Sequence, residues 1–125
     1  MTADWSPPCG TDIRLVPAGR WWDAVKVPRA VGDFALKLLA LDTGAVIEDA
    51  FSAHLYWLVP VDSATGWRLP YVTVLGAACY LAVPPGHRTE GLGVHWRVPC
   101  EPGHTLTDPA HLREALETAI DTLST

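Results

Sequence analysis

Glu48 and Asp49 are adjacent, and His54 and Tyr56 follow them in the stretch GAVIEDAFSAHLYWLVP. Carboxylates beside an imidazole are the parts of acid–base or divalent-metal chemistry. Neighbouring residues in a strand point to opposite faces, so an adjacent acidic pair clamps a metal only where the strand ends. The same two acids equally suit a polar turn closing the strand. His54, Tyr56 and Leu58 alternate with Leu55, Trp57 and Val59 and would share a face. That face is either a ligand platform of imidazole and phenol or the half-solvated outer side of a sheet. Further on, a Pro84-Pro85-Gly86 turn presents His87 and Arg88. A loop guanidinium suits a phosphate or carboxylate, and equally suits plain solvation.

Cys79, His87, His95, Cys100 and His104 fall within 26 positions, and Cys100-x-x-x-His104 has the spacing of half a zinc site. No Cys-x-x-Cys pair or His-Glu-x-x-His helix accompanies it. A small zinc-stabilised domain is therefore an alternative to ordinary core cysteines and loop histidines. No phosphate-cradling glycine loop and no nucleophile elbow is present. Six tryptophans in 125 residues favour a contact surface or an aromatic pocket. Trp21 and Trp22 cannot both face the core from one strand, and Trp67 falls in a loop, so these three are the expected interface anchors.

The elements that must position these groups read as one α+β domain over residues 21–125, preceded by an irregular arm over 1–20. The arm carries three prolines and room for one short strand at Ile13–Val16. WWDAVKVP alternates as a strand stopped by Pro28. Val31, Phe34, Ala35, Leu38, Leu39 and Leu41 form one face of a helix over about 30–42, weakened by Gly32 and ended by Gly44 in the left-handed conformation. AVIED, AHLYWLVPV, YVTVLG, CYLAVPP and VHWRVP then predict a mainly antiparallel sheet of about five or six strands. Asp108 as N-cap and Pro109 at the first helical position open a second amphipathic helix over about 109–123.

Three segments together, Ser52-Ala53-His54-Leu55-Tyr56-Trp57, Val72-Thr73-Val74-Leu75-Gly76 and Cys79-Tyr80-Leu81-Ala82-Val83-Pro84-Pro85-Gly86-His87, carry a resemblance. Their order over about 44–98 is similar to the primase-polymerase (prim-pol) domain of the archaeo-eukaryotic primase superfamily. The resemblance implies that His54 contacts nucleotide phosphates. It also implies a reduced relative with a degenerate active site. The family's acidic pair has no counterpart in the adjacent Glu48-Asp49, Thr73 stands where a further Asp belongs, and Gly86 replaces a Ser. Without converging carboxylates nothing holds Mg²⁺ between a triphosphate and a primer hydroxyl.

Nine Lys and Arg against fourteen Asp and Glu, a net charge of −5, argue against strong non-specific nucleic-acid binding. Three cysteines cannot be fully paired, and no signal peptide or membrane span is evident, so a reducing cytoplasm is expected. The expected function is a non-catalytic binding or regulatory module that recognises a protein partner or a nucleotide-like ligand through His54, Tyr56, His87 and Arg88, with no cofactor. The alternative is a small enzyme on a phosphorylated or nucleotide substrate, using Glu48 or Asp49 with His54 and then requiring Mg²⁺ or Mn²⁺.

Overall fold

A computed structural model describes residues 5–124. Its strands are β1 (Arg14–Pro17), β2 (Asp23–Pro28), β3 (Val46–Asp49), β4 (His54–Val59), β5 (Thr73–Leu75), β6 (Tyr80–Val83) and β7 (Val94–Val98). Helix α1 (Arg29–Leu39) follows β2 and runs into a 3-10 turn at Ala40–Asp42; α2 (Pro109–Leu123) closes the chain. Five strands form one antiparallel sheet in the order β5-β2-β4-β3-β7, and β1 pairs with β6 as a separate antiparallel ribbon. The α+β class is as the sequence predicts, with the strands divided between two sheets.

Strand alternation sorts the core into two layers. Val25, Val27, Val46, Leu55, Trp57 and Val59 face the two helices, which offer Val31, Ala35, Leu112 and Leu116 in return. Ala24, Ile47, Leu58 and Trp96 face the other way, under Leu81 and Val83 of the β1–β6 ribbon. The ribbon covers only part of that second face. Two of the three fully buried indoles are hydrogen-bonded: Trp57 Nε1 donates to Thr43 Oγ1 at 3.0 Å and Trp96 Nε1 to the Pro84 carbonyl at 3.1 Å.

Helix α2 is built as its sequence dictates. Asp108 Oδ1 accepts from the Ala110 and His111 N–H groups, at 2.8 and 3.3 Å, and Pro109 occupies the first turn. Helix α1 departs from expectation at both glycines. Its left-handed residue is Ala40, at φ 49°, whose N–H bonds the Leu36 carbonyl, so the regular helix ends before Gly44. Gly44 instead lies where the 105–106 backbone crosses: a Cβ there would meet the Thr105 and Leu106 carbonyl oxygens at 2.8 and 2.9 Å. Gly32 is a packing choice as well, since a Cβ would stand 2.5 Å from Leu55 Cδ1 and 2.8 Å from its Cγ. Alanine normally gains about 1 kcal/mol over glycine in a helix, whereas overpacking a core costs about 1–3 kcal/mol. Gly32→Ala is therefore expected to lower stability by about 1 kcal/mol in urea denaturation; a stabilised variant would mean that α1 and β4 are not in contact there.

The arm proves more ordered than its prolines suggest. Its strand is β1, shifted one residue from the expected Ile13–Val16, and Trp5 packs edge-on to Trp22 with ring centroids 5.5 Å apart. The first four residues of the expected arm lie outside the described residues. No helix among the described residues is long and apolar enough to cross a membrane.

Candidate ligand site on the open sheet face

The uncovered part of the second sheet face holds a recess of about 250 Å³. Lys26 of β2, Asp49 of β3, Tyr56 of β4 and Thr73 of β5 line its floor, and Tyr80 of β6 lies at its ribbon side. Pairing explains the convergence: Lys26 lies opposite Tyr56 on one side and Thr73 on the other. Lys26 is half-buried and makes no ion pair among the described residues. Burial, and secondarily the charge of Asp49, raises the Tyr56 phenol above its ordinary value, so it remains a proton donor across the neutral range.

His54 sits directly opposite Asp49 on the same face, at the strand end beside this recess. It is half-buried, and its Nδ1 is buried with no hydrogen-bond partner. Asp49 is already engaged: its Oδ1 accepts from the Phe51 and Ser52 N–H groups, at 3.0 and 3.4 Å, capping the turn into β4. This is the polar-turn alternative for that acid.

Glu48 lies on the other face. It pairs with Leu55 in register and points to the helix layer, 7% exposed, where Arg97 Nη1 approaches Oε1 at 3.1 Å and Arg29 Nη1 approaches Oε2 at 3.6 Å. His95 Nε2 stands 3.5 Å from Oε1, and Arg97 also reaches Asp33 of α1 at 2.9 Å. Burial alone would lower the Arg97 guanidinium, but Asp33 and Glu48 outweigh it and raise it. The trio of Glu48, Asp49 and His54 expected of the enzyme alternative is thus split by strand pleating. It leaves one acid beside the imidazole.

The remaining sequence candidates are dispersed. His87 is exposed, and Arg88 ties down the N-terminal segment by donating from Nη2 to the Thr11 carbonyl at 3.3 Å. The Arg88 carbonyl accepts from the Trp96 N–H at 2.8 Å, so this loop extends the sheet edge beyond β7. Neither residue lines the recess. Among the described residues no group of three or more His, Cys, Asp and Glu could hold a metal ion. Cys79, His87, His95, Cys100 and His104 therefore do not assemble as a zinc site: His95 is committed to Glu48, while His87 and His104 are exposed. Of the expected interface anchors, Trp22 is fully buried and cannot present itself to a partner. Trp21 is half-buried beneath Arg20, and Trp67 is half-buried against the helix layer with Arg113 over its ring at 5.7 Å.

All three cysteines are free. Burial pushes the Cys100 thiol up to about 11, against a lowering hydrogen bond with Thr105. At pH 8 only about one molecule in a thousand then carries the Cys100 thiolate, the reactive form. Iodoacetamide at pH 8 is expected to modify exposed Cys9 while Cys100 stays intact, with mass mapping as the readout; rapid Cys100 labelling would show that burial does not hold its thiol protonated.

Lys26 is the recess residue that the sequence candidates lack. The available signal was a lone lysine amid the apolar DAVKVP strand, since a charge in a central strand must reach an opening.

Comparison of the chain with protein-family models, with curated proteins and with solved structures finds no match.

Proposed function

We propose that the chain is a non-catalytic binding module of prim-pol-like type, acting in the cytoplasm, whose open sheet face takes a nucleotide-like anionic ligand without a metal ion. The carrying observation is the split of the acids: Glu48 on the helix face, Asp49 on the recess face and already capping a turn. A two-metal phosphoryl-transfer site needs carboxylates converging on one point, and a single engaged acid does not supply that. The recess does supply an ammonium from Lys26 and hydroxyls from Tyr56 and Thr73, and His54 flanks it opposite Asp49. These groups suit phosphate oxygens and heterocycle acceptors. At about 250 Å³ it lies at or below the small end of ligand pockets, about 300–1,000 Å³, so it fits a phosphate group or a single ring rather than a whole triphosphate.

Thermal-shift measurements with AMP and ATP test this reading. The melting temperature is expected to rise with nucleotide equally in EDTA and in Mg²⁺. Lys26→Ala, which removes a charge-assisted hydrogen bond worth about 1.5–3 kcal/mol, is expected to weaken binding at least tenfold without altering unliganded stability appreciably. No shift with either nucleotide in either buffer would refute nucleotide recognition, and Mg²⁺-dependent turnover would refute the non-catalytic assignment.

A further inference from the structure

A second concavity lies apart from the recess, where the N-terminal segment meets the loop after β7. It measures about 510 Å³, within the ordinary range of small-molecule sites, about 300–1,000 Å³. Its walls include Trp5 and Trp21, with Pro7 and Pro102 beside them, while fully buried Trp22 backs Trp5. Among the described residues Glu101 is the only charged one that lines it, and no ion pair engages it there.

We infer that this groove is a binding site for an alkylated ammonium cation. Aromatic ring faces carry negative potential and attract cations, most strongly when the cation sheds its water easily, as alkylated ammonium does. Trp21 already receives one internally: the Arg20 guanidinium carbon stands 5.1 Å from its ring centroid. The wall is held in place, because Trp5 meets Trp22 edge-on at an 83° interplanar angle and tilts against Trp96 at 6.5 Å. An anion would be opposed by Glu101. The site shares no lining residue with the sheet-face recess, so the two stand or fall separately.

Choline and its neutral isostere 3,3-dimethylbutan-1-ol, titrated at constant ionic strength with tryptophan fluorescence as the signal, form the test. Choline is expected to saturate and to bind at least tenfold tighter than the isostere. Glu101→Gln, at an exposed position, should keep the wild-type melting temperature and weaken choline at least fivefold; Trp21→Ala should weaken it further. Equal binding of choline and the isostere would reduce the site to a plain apolar groove. No saturation with choline, or an unchanged affinity in Glu101→Gln, would overturn the proposal.

Discussion

Replacing Glu48 with alanine is expected to lower the melting temperature by about 8 °C and to leave nucleotide affinity unchanged. Glu48 is nearly buried, and it organises Arg29, Arg97 and His95 between β3, β7 and α1. Removing one member of a fully buried ion pair costs about 3–5 kcal/mol, because the partner is left uncompensated. Here the partners are part-exposed, with Arg97 at 37% and Arg29 at 48%, and Arg97 retains Asp33. Water screens what remains, which brings the cost down to about 2 kcal/mol, or about 8 °C for a chain of this size. The measurement is a melt of Glu48→Ala beside a nucleotide titration of the same protein. Full stability with lost binding would move Glu48 into the ligand site and revive the enzyme alternative.

Gly44→Ala is expected to be the more damaging of the two, at about 2–3 kcal/mol or about 10 °C. The Cβ would meet backbone rather than a mobile side chain, with carbonyl oxygens at 2.8 and 2.9 Å. A side chain can change rotamer, whereas this backbone is fixed by its own bonds. Gly44 N–H donates to Thr107 Oγ1 at 2.8 Å, Ala45 N–H to the Thr105 carbonyl at 3.1 Å, and Thr107 N–H to the Leu58 carbonyl at 2.9 Å. Opening the 105–107 crossing to admit a methyl group strains all three. Chemical denaturation of Gly44→Ala reads the loss directly. Wild-type stability would mean that the two segments do not cross as described.

The contrast between these glycines and the elements around them shows what the sequence could and could not reveal. Local signals were sufficient for α2, whose Asp108 and Pro109 cap and start it, and for the alternation that puts His54 and Tyr56 on one face. The same alternation explains why adjacent acids diverge. Non-local facts were out of reach. Gly44 looks like a helix terminator until the 105–106 segment is seen crossing it. The Glu48 cluster draws on residues from β3, β7 and α1, and no spacing along the chain brings Asp33, Glu48 and Arg97 together. Lys26 reaches Tyr56 and Thr73 only because β2 inserts between β4 and β5, an order set by tertiary pairing. Trp5 sits in a proline-rich stretch with no period, yet it packs against Trp22 and Trp96.

One further buried acid shows how polar groups here serve the fold. Asp23 opens β2 at 2% exposure, and its Oδ2 accepts from the Asp62 N–H at 2.9 Å, holding a loop residue whose φ is 66°. It joins Glu48 and Asp49 as a carboxylate already engaged in holding the structure.

The most direct test of metal-free binding on the open sheet face is amide chemical-shift mapping of the ¹⁵N-labelled protein with AMP, first in EDTA and then in excess Mg²⁺. The largest shifts are expected at Lys26, Asp49, His54, Tyr56 and Thr73, with Asp33, Glu48 and Arg97 undisturbed and nothing altered when Mg²⁺ is added. Shifts centred on the Glu48 face, shifts that need Mg²⁺, or no shifts at all would contradict the account.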